Sequence, residues 1–261
     1  MSEAVEYEIR GRIGIIRLNR PDARNAVNGD VANAMEAIID RFEEDDEVWV
    51  GIITANTEGQ ERPVFCAGAD LKAINSGEGP LQNTLNGGFA GFAYRDRKKP
   101  VIAAVDGLAT AGGCEIVLAA DMVVATTRSA FGLAEVKRNL VAGAGGLYRL
   151  PRAVGKNVAM ELILTGEPLS AERAHQLGLV NHLVEPGRVL EAALELAEKI
   201  CAAAPLAVWA SRKVVLASMD EDEAALRTLT DEAFAKVMSS EDLKEGLEAF
   251  IEKRPANWKG R

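Results

Sequence analysis

Short β-branched runs alternate with stretches of helical period through the first two thirds of this 261-residue chain, and then the strands stop. Ile13 to Leu18 reads as a strand closed by Asn19-Arg20-Pro21-Asp22, a turn in which Pro21 has no N–H to give a ladder. After Asn28-Gly29-Asp30, the apolar residues Val31, Met35, Ile38, Ile39 and Phe42 share one helix face. Val48 to Thr54 and Val64 to Cys66 follow as strands, with Ala55 to Pro63 a polar loop between them. Val101 to Val105 is a buried strand, Gly112 to Ala120 a helix, Met122 to Ala125 a strand and Asn157 to Leu164 a helix. This order predicts α/β layering. From Gly187 onward every periodic segment is helical: Val189 to Ala203, Leu206 to Ala217, Glu223 to Met238, and a last helix capped by Ser240 with Leu243, Leu247, Phe250 and Ile251 on one face. No repeat survives at the level of residue identity.

The net charge of -9 gives no general attraction to nucleic acid or to an anionic membrane. Cys66, Cys114 and Cys201 are widely spaced and odd in number, which reads as reduced thiols. The opening residues MSEAVEYEIR are acidic where a secretory signal is basic and then apolar. Apolar runs such as Val101 to Val105 and Ile116 to Ala120 are far shorter than the ~20 residues that span a bilayer. A soluble, cytoplasmic protein is expected.

Three glycine-containing turns stand out, each read as following an apolar strand and opening a helix: Phe65 to Lys72, Asp106 to Glu115, and Gly143-Ala144-Gly145-Gly146. Small residues let a ligand approach the backbone, and unpaired N–H groups at a helix start suit an anion or a developing oxyanion. The plainer use of such turns is tight packing alone. The last of the three does not satisfy G-x-G-x-x-G and lies far from the first strand, so it does not read as a dinucleotide loop.

Two carboxylates alter the weighing. Glu115 opens a helix and is followed by Ile116-Val117-Leu118, while Glu135 sits between Phe131-Gly132-Leu133-Ala134 and Val136. Taken singly, Glu115 is a favourable charge near a helix N-terminus, and Glu135 an exposed carboxylate beside Lys137 and Arg138. Taken together, one carboxyl raised in pKa by an apolar site serves as an acid while its neighbour serves as a base. His175 on a helix and His182 in a short strand both fall outside the glycine turns.

These segments, with Arg20 to Ala26, Gly107 to Asp121, Phe131 to Leu150, Leu164-Thr165-Gly166, Ala174 to Val180 and Ala249 to Arg254, resemble the enoyl-CoA hydratase (crotonase) pattern, in the family's order and over nearly the whole chain. The resemblance implies a spiral of ββα units in residues 1–200 that carries the acyl-CoA site, and a helical region in 201–261 that builds trimers, often paired into hexamers. Ala69 and Gly112 then fall on the two backbone donors to the thioester oxygen, and Glu115 and Glu135 on the two catalytic glutamates of the hydratases. Arg24, Ala26, Ala67, Leu71 and Lys72 fall on the coenzyme A site, with Phe250 and Lys253 reaching across from a neighbouring subunit. Coenzyme A enters as part of the substrate; no cofactor and no metal is implied. A place in fatty-acid β-oxidation goes with the resemblance.

Two departures bear on the acyl pocket: Ala134 replaces the family's proline before the second glutamate, and Val141-Ala142 replaces Ile-Pro before Gly-Ala-Gly-Gly. Losing those rings frees backbone beside Glu135. Gly87 to Gly91 and Asn257 to Arg261 also look like carnitinyl-CoA dehydratases, so these and the one-carboxylate isomerases stay open as alternatives. Some relatives are RNA-binding, against which stand the acidic balance and the lack of a basic stripe with interleaved aromatics.

Overall fold

Period-two burial along the apolar runs produces a sheet with two dry faces, and a second, smaller sheet packs on one of them. The computed structural model describes residues 4–261, so the first three residues of the MSEAVEYEIR stretch lie outside the described residues. The strands are β1 (Val5–Arg10), β2 (Ile13–Leu18), β3 (Val50–Ala55), β4 (Val64–Cys66), β5 (Asn83–Thr84), β6 (Gly88–Phe89), β7 (Val101–Val105), β8 (Leu108–Thr110), β9 (Met122–Thr126), β10 (Ala130–Gly132), β11 (Leu169–Ser170) and β12 (His182–Val184). The helices are α1 (Gly29–Glu44), α2 (Leu71–Asn75), α3 (Gly112–Ala119), α4 (Gly146–Val154), α5 (Lys156–Thr165), α6 (Ala171–Gln176), α7 (Val189–Cys201), α8 (Pro205–Ala217), α9 (Glu223–Met238) and α10 (Glu241–Glu252).

The large sheet runs β1-β2-β3-β7-β9-β12, parallel except for the β1/β2 pair, and the small sheet runs β11-β10-β8-β4, parallel except for β10/β11. The chain visits large sheet, small sheet and helix in turn: β3, β4, α2; then β7, β8, α3; then β9, β10 and the 3-10 turn Glu135–Arg138. The α/β class is as read from the sequence, and the spiral of ββα units is visible in space although no residue identity repeats.

Along β7, Val101, Ala103 and Val105 face the core shared with α1 and the small sheet, while Ile102 and Ala104 face Trp49, Trp209 and α7. That alternation buries both faces and fixes the register, because a one-residue slip would exchange the two sets. Lys99, fully buried, donates from Nζ to the carbonyls of Phe42 (2.6 Å) and Asp45 (2.7 Å), closing the C-terminus of α1 against the start of β7.

Element ends moved by one or two residues from expectation. The strand read from Val48 begins at Val50, and α7 stops at Cys201 because Ala204-Pro205 starts α8, with Ala204 extended before the ring. Ser240 caps α10 as expected, accepting from the Leu243 amide at 3.2 Å. The boundary expected after residue 200 falls inside α7, one residue before its end at Cys201. Among the described residues, no single helix is long and apolar enough to cross a membrane.

Candidate active site

Parallel strands β4, β8 and β10 are neighbours in the small sheet, so the turns that leave their C-terminal ends emerge side by side. Those turns carry Ala69, Gly112 and Glu135. Glu115 follows in the first turn of α3. The sequence motifs are therefore brought together by topology, at the strand ends where open α/β sheets place ligands.

Ala69 bridges Val27 in parallel fashion: the Val27 amide donates to the Gly68 carbonyl and the Asp70 amide to the Val27 carbonyl, both at 2.8 Å. In such a bridge the central residue's own N–H points the other way. It meets no acceptor among the described residues. Gly112 is the first residue of α3, so its amide is one of the orphans of a helix start. A Cβ on Gly68 (φ +85) would lie 2.8 Å from the Gly112 nitrogen, which shows how closely the two turns approach. A Cβ on Gly113 would overlap the Cys66 carbonyl, so α3 can seat against β4 only with glycine there. Ala111, at φ 51 and ψ -129, holds an unfavourable backbone conformation for a residue with a side chain. Its amide donates to the Gly132 carbonyl at 2.8 Å, tying the end of β8 to the end of β10.

Glu115 is 3% exposed. Its Oε1 accepts from the amides of Ala144 (2.7 Å) and Gly146 (2.9 Å). Burial raises its pKa above the usual carboxylate value, against those two amides and Arg149, which lower it. Glu135 begins the 3-10 turn and is half-buried, with Oε2 shut off from solvent and without a hydrogen-bond partner. Burial and the nearby Glu115 charge push its pKa up to about 7. One carboxyl thus has donors that favour its anion, and the other has an environment that favours its acid.

The third glycine turn corrects the sequence reading twice. It follows the 3-10 turn and the loop from Asn139 rather than an apolar strand, and two of its amides hold a side chain rather than standing free. Whether an orphan amide meets a ligand or a residue from thirty positions earlier is not written locally. The reading of Glu135 as a solvated carboxylate also fails, although Lys137 and Arg138 beside it are exposed.

Of the expected coenzyme A residues, five share one surface next to Ala69. The Ala67 amide donates to the Arg24 carbonyl at 3.1 Å, and Arg20 joins the Ala26 carbonyl (2.5 Å) to the Asp70 carboxylate (3.1 Å), which caps α2 ahead of Leu71 and Lys72. Asn25, 1% exposed, makes the motif rigid by donating to the carbonyls of Asn56 (2.9 Å) and Val64 (3.0 Å). Arg24, Leu71 and Lys72 are exposed, Ala67 is half-buried and Ala26 is buried. Phe250 (84% exposed) stands instead on α10 and Lys253 is its C-cap, and among the described residues neither has a side-chain hydrogen bond or ion pair to this surface. His175 bonds the Val180 carbonyl and His182 lies in β12, both away from the strand ends. A cavity of about 490 Å³ between Arg97, Lys98, α8 and α9 contains none of these residues. Sequence reading missed Tyr94 and Arg149, which brace the Glu115 cradle; the run Gly87 to Gly91 was the available signal.

Two packed sheets wound as a spiral, with paired carboxyls and two free amides at neighbouring strand ends, define an enzyme of the crotonase fold. The family model for enoyl-CoA hydratase/isomerase matches residues 8–261, and the chain belongs to that family. It is 38% identical to the carnitinyl-CoA dehydratase of Proteus mirabilis over 266 residues, covering 100% of each. Among solved structures it is similar to enoyl-CoA hydratase EchA1 from Mycobacterium marinum (47% identity, TM-score 0.92, 100% of both chains). It is also similar to an enoyl-CoA hydratase from Mycobacterium tuberculosis (46%, TM-score 0.93, 100% of both).

Proposed function

We propose that this protein hydrates 2-enoyl-CoA thioesters reversibly, adding water syn across the double bond to give 3-hydroxyacyl-CoA. The observation that carries the reading is the unequal pair: Glu115 with two amides on one oxygen, Glu135 with an unpartnered oxygen and a pKa of about 7. Charge gathers on the thioester oxygen as water adds, and the amides of Ala69 and Gly112 receive it, a kind of preorganised donor worth about 3–4 kcal/mol each. Glu115 takes a proton from water through its free oxygen while that water's oxygen bonds the β-carbon. Glu135, protonated, delivers a proton to the α-carbon. Arg24, Ala26, Ala67, Leu71 and Lys72 hold the coenzyme A portion, and Phe250 and Lys253 complete the site from a neighbouring subunit of a trimer or a dimer of trimers. No metal takes part, and the enzyme works in the cytoplasm.

A second reading, carnitinyl-CoA dehydratase, is favoured by the name of the Proteus relative and by the runs Gly87 to Gly91 and Asn257 to Arg261. The deciding measurement is loss of conjugated absorbance with enoyl-CoA thioesters of increasing length and with crotonobetainyl-CoA. Turnover of the aliphatic thioesters supports the hydratase; turnover of crotonobetainyl-CoA alone replaces it with the second reading. Glu115→Gln should cut hydration by a factor of about 10²–10⁴ with coenzyme A binding unchanged. An isomerase working through Glu135 alone would keep its activity in that variant.

A further inference from the structure

We propose that Tyr94 is a positioning residue for hydration, its hydroxyl anchoring the loop whose amides hold Glu115. The inference rests on the reading of Glu115 as the base. The loop Asn139 to Gly145 has no proline, contains two left-handed residues in Asn139 (φ 55) and Gly145 (φ 105), and carries Leu140 and Val141 49% and 70% exposed. Little packs on it from outside. Around Gly143 itself, a Cβ would meet only the Val141 carbonyl, at 3.9 Å. What fixes this peptide is a side-chain bond near the surface: Tyr94, 47% exposed, donates its hydroxyl to the Gly143 carbonyl at 2.6 Å. One residue on, Arg149 donates to the Ala144 carbonyl (3.1 Å) and also to the Ala93 carbonyl (2.7 Å). Segment 93–94 thus holds two successive carbonyls of the loop: the Gly143 carbonyl shares its peptide with the Ala144 amide that Glu115 accepts from, while the peptide of the Gly146 amide is held at its Gly145 carbonyl by the amides of Tyr148 and Arg149.

Tyr94 is itself seated on rigid structure. Its amide donates to the Gly87 carbonyl at 2.9 Å, and a Cβ on Gly88 would overlap its ring. A Cβ on Gly91 would overlap the Ala32 carbonyl, so the glycine run lies directly on α1. The run that resembled carnitinyl-CoA dehydratases therefore has a mechanical use in this chain: it sets the ring whose oxygen reaches the catalytic loop. Where the family's proline is absent at Ala142, a side-chain hydrogen bond takes over the fixing of that backbone.

Tyr94→Phe removes one oxygen and leaves the half-exposed ring in place. Turnover should fall about tenfold with KM for the thioester unchanged, the scale of one net hydrogen bond acting on a group used in the transition state. The acidic limb of the pH–rate profile should move to higher pH, because looser amides support the Glu115 anion less well. The charged and titratable groups that face Glu115 are Arg149 from α4, Glu135 from the 3-10 turn, Cys114 beside it, and Tyr94 itself, whose hydroxyl also lies in hydrogen-bond contact with Tyr148 of α4. The first three are retained in the variant. The sharper test is Tyr94→Phe placed in Glu115→Gln protein: a residue that acts through Glu115 has no further effect there. An undiminished tenfold loss in that background, or wild-type turnover and an unmoved acidic limb in the single variant, overturns the inference. If Glu115→Gln alone retains full hydration, the base assignment falls and this inference falls with it; if Glu115→Gln is inactive and Tyr94→Phe is normal, only the inference falls.

Discussion

Replacing Glu135 by glutamine should make the protein more stable at alkaline pH and nearly inactive, and the size of the gain follows from its surroundings. The folded protein holds this carboxyl at a pKa of about 7 against the ordinary 4.5, chiefly by burial. Below 4.5 folded and unfolded chains both keep the proton, and the substitution changes little. As pH rises from 4.5 to about 7, the unfolded chain releases its proton while the folded chain retains it, so wild type loses stability through that window and stays lower above it. The gap corresponds to at most about 3 kcal/mol. Water reaches part of the side chain, which reduces the expectation to about 1–2 kcal/mol. For a chain of this length that is a rise of about 3–6 °C in Tm. Glutamine is neutral and nearly isosteric, so it reproduces the protonated acid without its proton. Thermal unfolding of both proteins at about pH 5 and about pH 8.5, at one fixed protein concentration so that any self-association weighs equally on both, measures the difference. A gain equal at both pH values, or none at either, would refute the reasoning, since Glu135 would then ionise freely in the folded state and could not serve as the acid.

Gly68→Ala puts a Cβ 2.8 Å from the Gly112 nitrogen at a φ of +85. It should destabilise by about 1–3 kcal/mol in denaturant titration and lower turnover more than coenzyme A affinity. A fully active, fully stable variant would show that the two turns do not depend on this contact. The apolar residues Leu247, Phe250 and Ile251 on α10, 58%, 84% and 77% exposed, should be covered by neighbouring subunits, so light scattering should give a three-fold assembly. A stable, active monomer at micromolar concentration would oppose this. Among the described residues no cluster of three or more His, Cys, Asp or Glu side chains is set to hold a metal ion, so hydration should be indifferent to chelators. Loss of activity on chelation with return on adding zinc or magnesium would contradict it.

How far the sequence could be read depended on which physical signal each element carries. β2, β4 and β7 are β-branched or fully apolar and were found with their ends correct. β1 was missed because it is an edge strand, its VEYEIR run mostly exposed, and an outward-facing antiparallel edge carries no apolar run. The strands that place the site, β8 (LAT) and β10 (AFG), are three residues long and rich in small side chains, so they have no local signature. Their existence follows from tertiary pairing. For the same reason the positions of Ala69, Gly112, Glu115 and Glu135 came from motif order, while their convergence waited on the strand order β10-β8-β4. The cradle of Glu115 was legible only as a glycine run, since its partner lies some thirty residues away.

The spiral has a consequence for how such an enzyme can change over time. Two of the parts at the strand ends, on the proposed reading, are main-chain amides, which every amino acid except proline supplies; the other two are carboxyls, each of which a single codon can remove. Mutation therefore samples new chemistry at Glu115 and Glu135 while the grip on the thioester, being written in the path of the backbone, is inherited almost unaltered. A scaffold divided in this way is tolerant where novelty arises and conservative where recognition resides.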